Sequence, residues 1–189
     1  ADSRIKGVIF TGSTEVAQLI NRTLAKRAEQ EGIDIPLVAE TGGQNALIVD
    51  SSALPEQVVG DVLSSAFDSA GQRCSALRVL FLQEDIADKT IKMLKGAMQE
   101  LRVGSPDRLA TDIGPVIDLE AQRNLLAHIE RTKATARSHF ALPLPATVTD
   151  YGTFVPPTVM EIASLAELKQ EVFGPVLHIV RYRRAELPQ

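Results

Sequence analysis

The residues able to do chemistry are few and widely spaced. The chain's single cysteine, Cys74, lies in Gly71-Gln72-Arg73-Cys74-Ser75-Ala76. A lone cysteine is commonly a small buried hydrophobe. A helix-to-strand junction can instead expose the sulfur, and the adjacent Arg73 cation would favour the nucleophilic thiolate. Glu40 ends an apolar run and precedes Thr41-Gly42-Gly43. A carboxylate on such a turn can activate a water as a general base, or it is a solvated strand end. Gly12-Ser13-Thr14 follows a strand-like run and opens a helix-like one, so its backbone N–H groups form a site for a phosphate. The full G-x-G-x-x-G pattern is absent, and a plain tight turn accounts for the same residues. Glu171 and Phe173 stand two apart in Glu171-Val172-Phe173-Gly174-Pro175. On an extended segment they share one face, where a carboxylate could hold ribose hydroxyls and a ring could pack on a flat heterocycle. A turn with a core phenylalanine is the alternative.

The histidines add little to this set. His128 lies beside an apolar stripe, His139 near a loop and His178 inside an apolar strand, so all three read as structural or surface residues. None stands in a motif with Cys74, as a cysteine hydrolase would require. Three scattered histidines and one cysteine argue against a metal site.

The elements that must position these residues alternate between strand and helix. Lys6 to Thr11 reads as a buried strand. From Thr14 to Glu31 the period becomes helical, with Val16, Leu19, Ile20, Leu24 and Ala28 on one stripe, a Ser13 or Thr14 cap and Gly32 as the stop. Strands follow at Leu37 to Ala39 and Ala46 to Val49. A helix then runs from Pro55 to Gly71. Beyond Cys74 come a strand at Leu77 to Leu82, a helix from Asp85 to Leu101, a turn at Gly104 to Asp107, and a helix from Leu119 to Thr135 facing inward through Leu125, Leu126 and Ile129. Ala141 to Gly152 reads as a loop, Thr153 to Met160 as a strand interrupted by Pro156-Pro157, Ala166 to Gln170 as a short helix, and Pro175 to Tyr182 as a strongly apolar strand. This order predicts an α/β fold with a largely parallel sheet.

Composition narrows the function. With 189 residues, 44% hydrophobic and 23% charged, the chain is globular material and too apolar for intrinsic disorder. No apolar run reaches the roughly 18 residues that span a bilayer, and Ala1 to Lys6 carry no signal-peptide pattern. A net charge of −4 and a pI near 5.4 argue against nucleic-acid binding. One cysteine permits no internal disulfide, in keeping with a reducing cytoplasm.

Taken in order, Phe10-Thr11-Gly12-Ser13-Thr14-Glu15-Val16, Glu40-Thr41-Gly42-Gly43-Gln44-Asn45, Gly71-Gln72-Arg73-Cys74 and Glu171-Val172-Phe173-Gly174-Pro175-Val176 resemble the aldehyde dehydrogenase superfamily. Gly104-Ser105-Pro106-Asp107, Ile113-Gly114-Pro115-Val116-Ile117 and Gly152-Thr153-Phe154-Val155-Pro156-Pro157-Thr158 fit as well, so the resemblance covers essentially the whole chain. Within the superfamily, Ser69 to Leu80 is most similar to bifunctional members whose module oxidises L-glutamate γ-semialdehyde to L-glutamate, with FAD confined to a separate proline dehydrogenase domain.

The resemblance implies a truncated aldehyde dehydrogenase fold. Residues 1–40 would be the end of a Rossmann-type NAD-binding domain, and residues 41–189 part of the α/β catalytic domain. It implies Cys74 as nucleophile and Glu40 as the base for thioester hydrolysis. Gly12 and Ser13 would contact the NAD phosphate, Glu171 its ribose and Phe173 its nicotinamide. Ser75 would contact the substrate carboxylate. The family's oxyanion-hole asparagine and ribose-binding lysine have no match in this chain. The implied partners are a small aldehyde, the remainder of a parent chain and further copies of itself. The parent would be cytoplasmic, or peripheral at the inner membrane. The segment alone is expected to be inactive and prone to self-association through exposed apolar surface. Another aldehyde substrate and a non-catalytic scaffold are the competing readings.

Overall fold

The structure, a computed structural model, describes residues 2–186; the expected domain limits at residues 1 and 189 lie outside the described residues. The chain forms two compact units, residues 1–43 and 44–189.

In the first unit, β1 (Val8–Thr11) and β2 (Leu37–Glu40) pair in parallel, with Thr11 opposite Glu40. Between them runs α1 (Thr14–Glu31). Its limits follow from its caps: the Ser13 hydroxyl accepts from the Val16 N–H, and Gly32 takes the left-handed conformation while donating to the Ala28 carbonyl. The periodicity identifies the helix, and its expected stripe is buried in part: Leu24 is buried and Ile20 and Ala28 are half-buried, but the N-terminal part of the stripe is not. Val16 and Leu19 are 43% and 62% exposed, while Ala17, Leu24 and Arg27 are buried. The reason is the Arg27 guanidinium. It donates to the carbonyls of Asp2, Ser3 and Ile5 at 2.9 Å each and pairs with Glu31 at 3.0 Å, which turns its own face inward under the N-terminal segment.

The second unit is built on a five-stranded sheet of order β3-β4-β7-β6-β5, with β3 (Ala46–Val49), β4 (Val79–Gln83), β7 (Val176–Tyr182), β6 (Thr158–Glu161) and β5 (Ser138–Ala141). All neighbours are parallel except the edge pair β5–β6, as the alternation of strand and helix predicts. Helices α2 (Pro55–Phe67), α3 (Glu84–Gln99) and α4 (Leu119–Lys133) supply the rest of the core. Leu80, Leu82, Leu177 and Ile179 join Val62, Phe67, Leu94 and Met98 in the main cluster. Val79 and Val180 pack with Ile162 in a smaller one, because successive strand residues point to opposite faces. Full burial of each large apolar side chain contributes about 1.5–3 kcal/mol before ordering costs.

Several expectations need correcting. The helix expected to reach Gly71 ends at Phe67. Asp68–Gly71 continue as a 3-10 turn in which Ser69, Ala70 and Gly71 have φ of 56°, 52° and 64°. Residues 141–152 are not all loop: Ala141 belongs to β5, and α5 (Ala146–Thr149) is a single turn. Antiparallel pairing with a distant strand creates β5, which local composition does not report. Strand β6 starts only after Pro156-Pro157, since proline offers no N–H to the ladder. The helix expected at Ala166 to Gln170 is a 3-10 turn, Leu165–Glu167, held by a Ser164–Glu167 capping box. Leu126 of α4 is exposed, and Leu125 and Ile129 carry its packing.

His178 and His128 form a contact that the sequence did not disclose. Their Nε2 atoms lie 2.9 Å apart, with the rings edge to face, and His178 Nδ1 is 3.3 Å from the Arg78 carbonyl. With Nδ1–H donating to that carbonyl, His178 Nε2 is the acceptor and His128 the donor. Burial first, then His128 beside it, pushes His178 from 6.5 down to about 4. Between those values the unfolded chain holds a proton that the folded chain does not. The contribution of this group to stability is therefore complete above pH 6.5, falls as the pH drops toward 4 and falls no further below that. The loss is on the order of 3 kcal/mol. Denaturant midpoints at about pH 7.5 and about pH 5 should show this decline, and His178→Leu should flatten most of it.

Candidate active site

Cys74 and Ser75 are the two central residues of a tight turn closed by the Ala76 N–H donating to the Arg73 carbonyl at 3.0 Å. Both are exposed, and Cys74 is a free thiol. The turn is fixed from behind. Asn45 Nδ2 donates to the carbonyls of Cys74 (2.6 Å) and Ala76 (2.9 Å), and the Leu77 N–H donates to the Ser65 carbonyl at 3.0 Å. No hydrogen bond takes the Cys74 N–H among the described residues, so it is open to an oxyanion forming at the sulfur. Arg73 does not serve the thiol in the way its position predicts. Its guanidinium turns back to the last turn of α2, donating to the carbonyls of Ser64 (2.9 Å) and Ser65 (3.3 Å); the Ser64 carbonyl also accepts from the Asp68 N–H.

The cation at the centre of this region is Arg78, whose side chain is wholly buried. Nη1 donates to the carbonyls of Gly71 (2.5 Å) and Gly174 (3.4 Å); Nη2 donates to the Arg73 carbonyl (2.9 Å) and to Glu171 Oε1 (3.0 Å). The guanidinium carbon sits 5.2 Å from the centre of the Phe173 ring, in a cation–π contact. Burial lowers the Arg78 pKa from its ordinary value, and the hydrogen bond to Glu171 opposes that shift; guanidinium stays charged regardless. Glu171 and Phe173 thus meet on the same side of their segment, as an extended backbone requires. Val172 between them is buried.

Glu171 and Phe173 line a cleft of about 330 Å³ with Gln72, Asp118, Asn124 and Arg131. Phe173 is 43% exposed. Gln72 Oε1 accepts from the Ile117 N–H at 3.0 Å, tying this wall to the loop that precedes Cys74. The histidines hold each other, His128 against His178, so neither is engaged with the thiol. Among the described residues no group of three or more His, Cys, Asp or Glu could hold a metal ion.

The first unit carries the other candidates. Glu40 and Gly12 lie at the carboxyl ends of the paired parallel strands, and the Gly12 N–H donates to the Glu40 carbonyl at 3.1 Å. That donor is therefore spent, and the Ser13 hydroxyl is occupied as the cap of α1. The open donors at the helix start are the N–H groups of Ser13, Thr14 and Glu15. Glu40 is exposed.

Sequence reasoning missed Asn45 and Arg78. Asn45 and Arg78 both stood inside motifs of the sequence, Arg78 within the Leu77 to Leu82 strand, without a role. An arginine one residue before a run of buried aliphatics was the available signal, because a charge placed there must find partners.

The second unit thus presents an exposed cysteine on a pinned turn and a carboxylate and an aromatic ring beside a cleft, and the first unit, by itself, a helix start at the ends of parallel strands. Residues 1–186 match the aldehyde dehydrogenase family, and the chain belongs to that family. It is 60% identical over 191 residues to the bifunctional protein PutA of Klebsiella aerogenes, covering 99% of this chain and 15% of that protein. It is 33% identical over 183 residues to aldehyde dehydrogenase family 7 member B4 of Arabidopsis thaliana, covering 96% of this chain and 34% of the relative. Among solved structures, a Bradyrhizobium japonicum proline utilization A variant superimposes with a TM-score of 0.90 at 55% identity, over 97% of this chain and 18% of the other. A Staphylococcus aureus betaine aldehyde dehydrogenase solved with NAD+ gives 0.83 at 27% identity, over 94% of this chain and 35% of the other. The chain thus spans about 15% of the length of PutA from Klebsiella aerogenes.

Gly71 shows how tightly the thiol's surroundings are built. Its φ is 64°, and a Cβ there would collide with the carbonyl of Gly174. Gly71→Ala should cost about 2 kcal/mol or more through backbone strain and that collision, read as a lower thermal midpoint.

Proposed function

We propose that this segment supplies the nucleophile and part of the nucleotide site of an NAD-dependent dehydrogenase that oxidises L-glutamate γ-semialdehyde to L-glutamate in proline catabolism. The observation that carries the reading is the exposed Cys74 on a turn whose Arg73, Cys74 and Ala76 carbonyls are held from behind, with Glu171 and Phe173 braced on Arg78. Identity of 60% to a bifunctional PutA supports the choice of substrate.

In this reading the Cys74 thiolate attacks the aldehyde carbon, forming a C–S bond and an alkoxide that the Cys74 N–H stabilises. NAD+ bound at Glu171 and Phe173 would supply the two-electron hydride acceptor for the oxidation of that carbon. What remains on Cys74 is a thioester. Glu40 takes a proton from water, the hydroxide adds to the thioester carbon, and the C–S bond breaks to give the carboxylate and the free thiol. The residues fit the cofactor. The N–H groups of Ser13 to Glu15 and the turn at Gly12 can face a phosphate, Glu171 can accept from ribose hydroxyls, and exposed Phe173 beside the cleft can pack on nicotinamide. Ser75, on the same turn as Cys74, is the assigned contact for the substrate carboxylate.

Residues 1–40 would then be the end of a Rossmann-type NAD-binding domain, and residues 41–189 part of the catalytic domain. The segment would work inside a longer, homo-oligomeric, cytoplasmic or peripherally membrane-bound polypeptide whose separate proline dehydrogenase domain uses FAD. No described helix is long and apolar enough to cross a membrane.

In the full polypeptide, Cys74→Ala should abolish NADH formation from glutamate semialdehyde, by about 10³-fold or more. Turnover surviving that change would refute the assignment of the nucleophile. The 189-residue chain by itself should show no turnover; steady NADH production by it would contradict the need for further residues.

A further inference from the structure

Arg78 has a role that stability alone does not explain. The guanidinium reaches two separate sets of groups. One is the loop before and around the thiol, through the carbonyls of Gly71 and Arg73. The other is the segment facing the cleft, through Glu171 Oε1, the Gly174 carbonyl and the Phe173 ring. A single nitrogen, Nη2, is shared between Arg73 and Glu171. The backbone of Arg78 is itself immobilised. Its N–H donates to the Asn45 carbonyl at 3.0 Å and its carbonyl accepts from the His178 N–H at 2.9 Å, so the side chain projects from a fixed point. Asn45 also holds the carbonyls of Cys74 and Ala76.

We propose that Arg78 is a positioning residue that fixes the Cys74 turn and the Glu171–Phe173 segment relative to one another, so that a change at either one is transmitted to the other through its guanidinium. The inference rests on the dehydrogenase reading for the meaning of the two segments, and on the geometry alone for their coupling. Lysine cannot replace it. The fork presents several N–H groups in one plane to acceptors on two chain segments and places its charge over the Phe173 ring, whereas an ammonium is a single point.

The test uses the full polypeptide and four proteins: wild type, Arg78→Lys, Glu171→Gln and the double variant. Two quantities are read in each, the KM for NAD+ at saturating aldehyde and the rate of iodoacetamide labelling of the Cys74 peptide without cofactor, resolved by mass spectrometry. Arg78→Lys should raise the KM about tenfold and alter the labelling rate at least about threefold at fixed pH. Glu171→Gln should alter Cys74 labelling in the same direction, although Glu171 meets the thiol's turn through Arg78. The double variant should go no further than Arg78→Lys, because the two changes break one linkage. Arg78→Lys with both quantities within about twofold of wild type would overturn the proposal. So would a Glu171→Gln protein whose KM rises while Cys74 labelling is unchanged, or additive effects in the double variant. If Arg78→Lys fails to fold, Glu171→Gln alone decides between these results. Wild-type protein without NAD+-dependent turnover would sink the dehydrogenase reading, yet the labelling comparison would still report on the coupling.

Discussion

A fully buried guanidinium is the constraint around which the second unit is arranged. Taking a charge out of water costs several kcal/mol unless it is paired and hydrogen-bonded, and the two Nη groups of Arg78 meet most of that demand with one carboxylate and three carbonyls beside an aromatic ring, while its Nε has no partner among the described residues. Each partner is then obliged to be where it is. Helix α2 must stop at Phe67 and the chain must turn through left-handed Ser69, Ala70 and Gly71 to bring the Gly71 carbonyl to Nη1. At 174 a Cβ would press on the Leu125 side chain, which would have to shift. Left-handed conformations at two non-glycine residues cost on the order of 1–3 kcal/mol each; the surrounding hydrogen bonds and the buried core must offset that cost.

The same device recurs in the first unit with a different purpose. Arg27 is also buried and also satisfied mainly by backbone carbonyls, beside buried Leu24 of the apolar stripe. There it fastens the N-terminal segment onto α1. In the second unit the acceptors belong to the cysteine turn and the cleft wall, so an equivalent interaction falls on the residues proposed to do the chemistry. Two arginines of the same type thus do different work because of what their carbonyl partners carry.

Much of the architecture was legible from periodicity and punctuation. Helix α1 begins and ends where Ser13 and Gly32 place it, and β3 lies where its apolar run lies. The parallel sheet followed from strand–helix alternation. What escaped had non-local causes. Strand β5 exists through pairing with β6, the end of α2 is set by Arg78 and Gly174, and the burial of Arg27 depends on the carbonyls of residues 2–5. At the site, Cys74, Glu171 and Phe173 stood out by type and motif. Asn45 and Arg78 did not, because their importance lies in which carbonyls they reach.

The central claim is that Cys74 carries the substrate during oxidation. Acid quenching of the full polypeptide during turnover with glutamate semialdehyde and NAD+, followed by peptide mass analysis, tests it most directly. The account predicts an acyl group on the Cys74 peptide, lost on treatment with hydroxylamine and more abundant in Glu40→Gln, where hydrolysis is slowed. An acyl group on a different residue, or turnover with no covalent adduct in either protein, would contradict it.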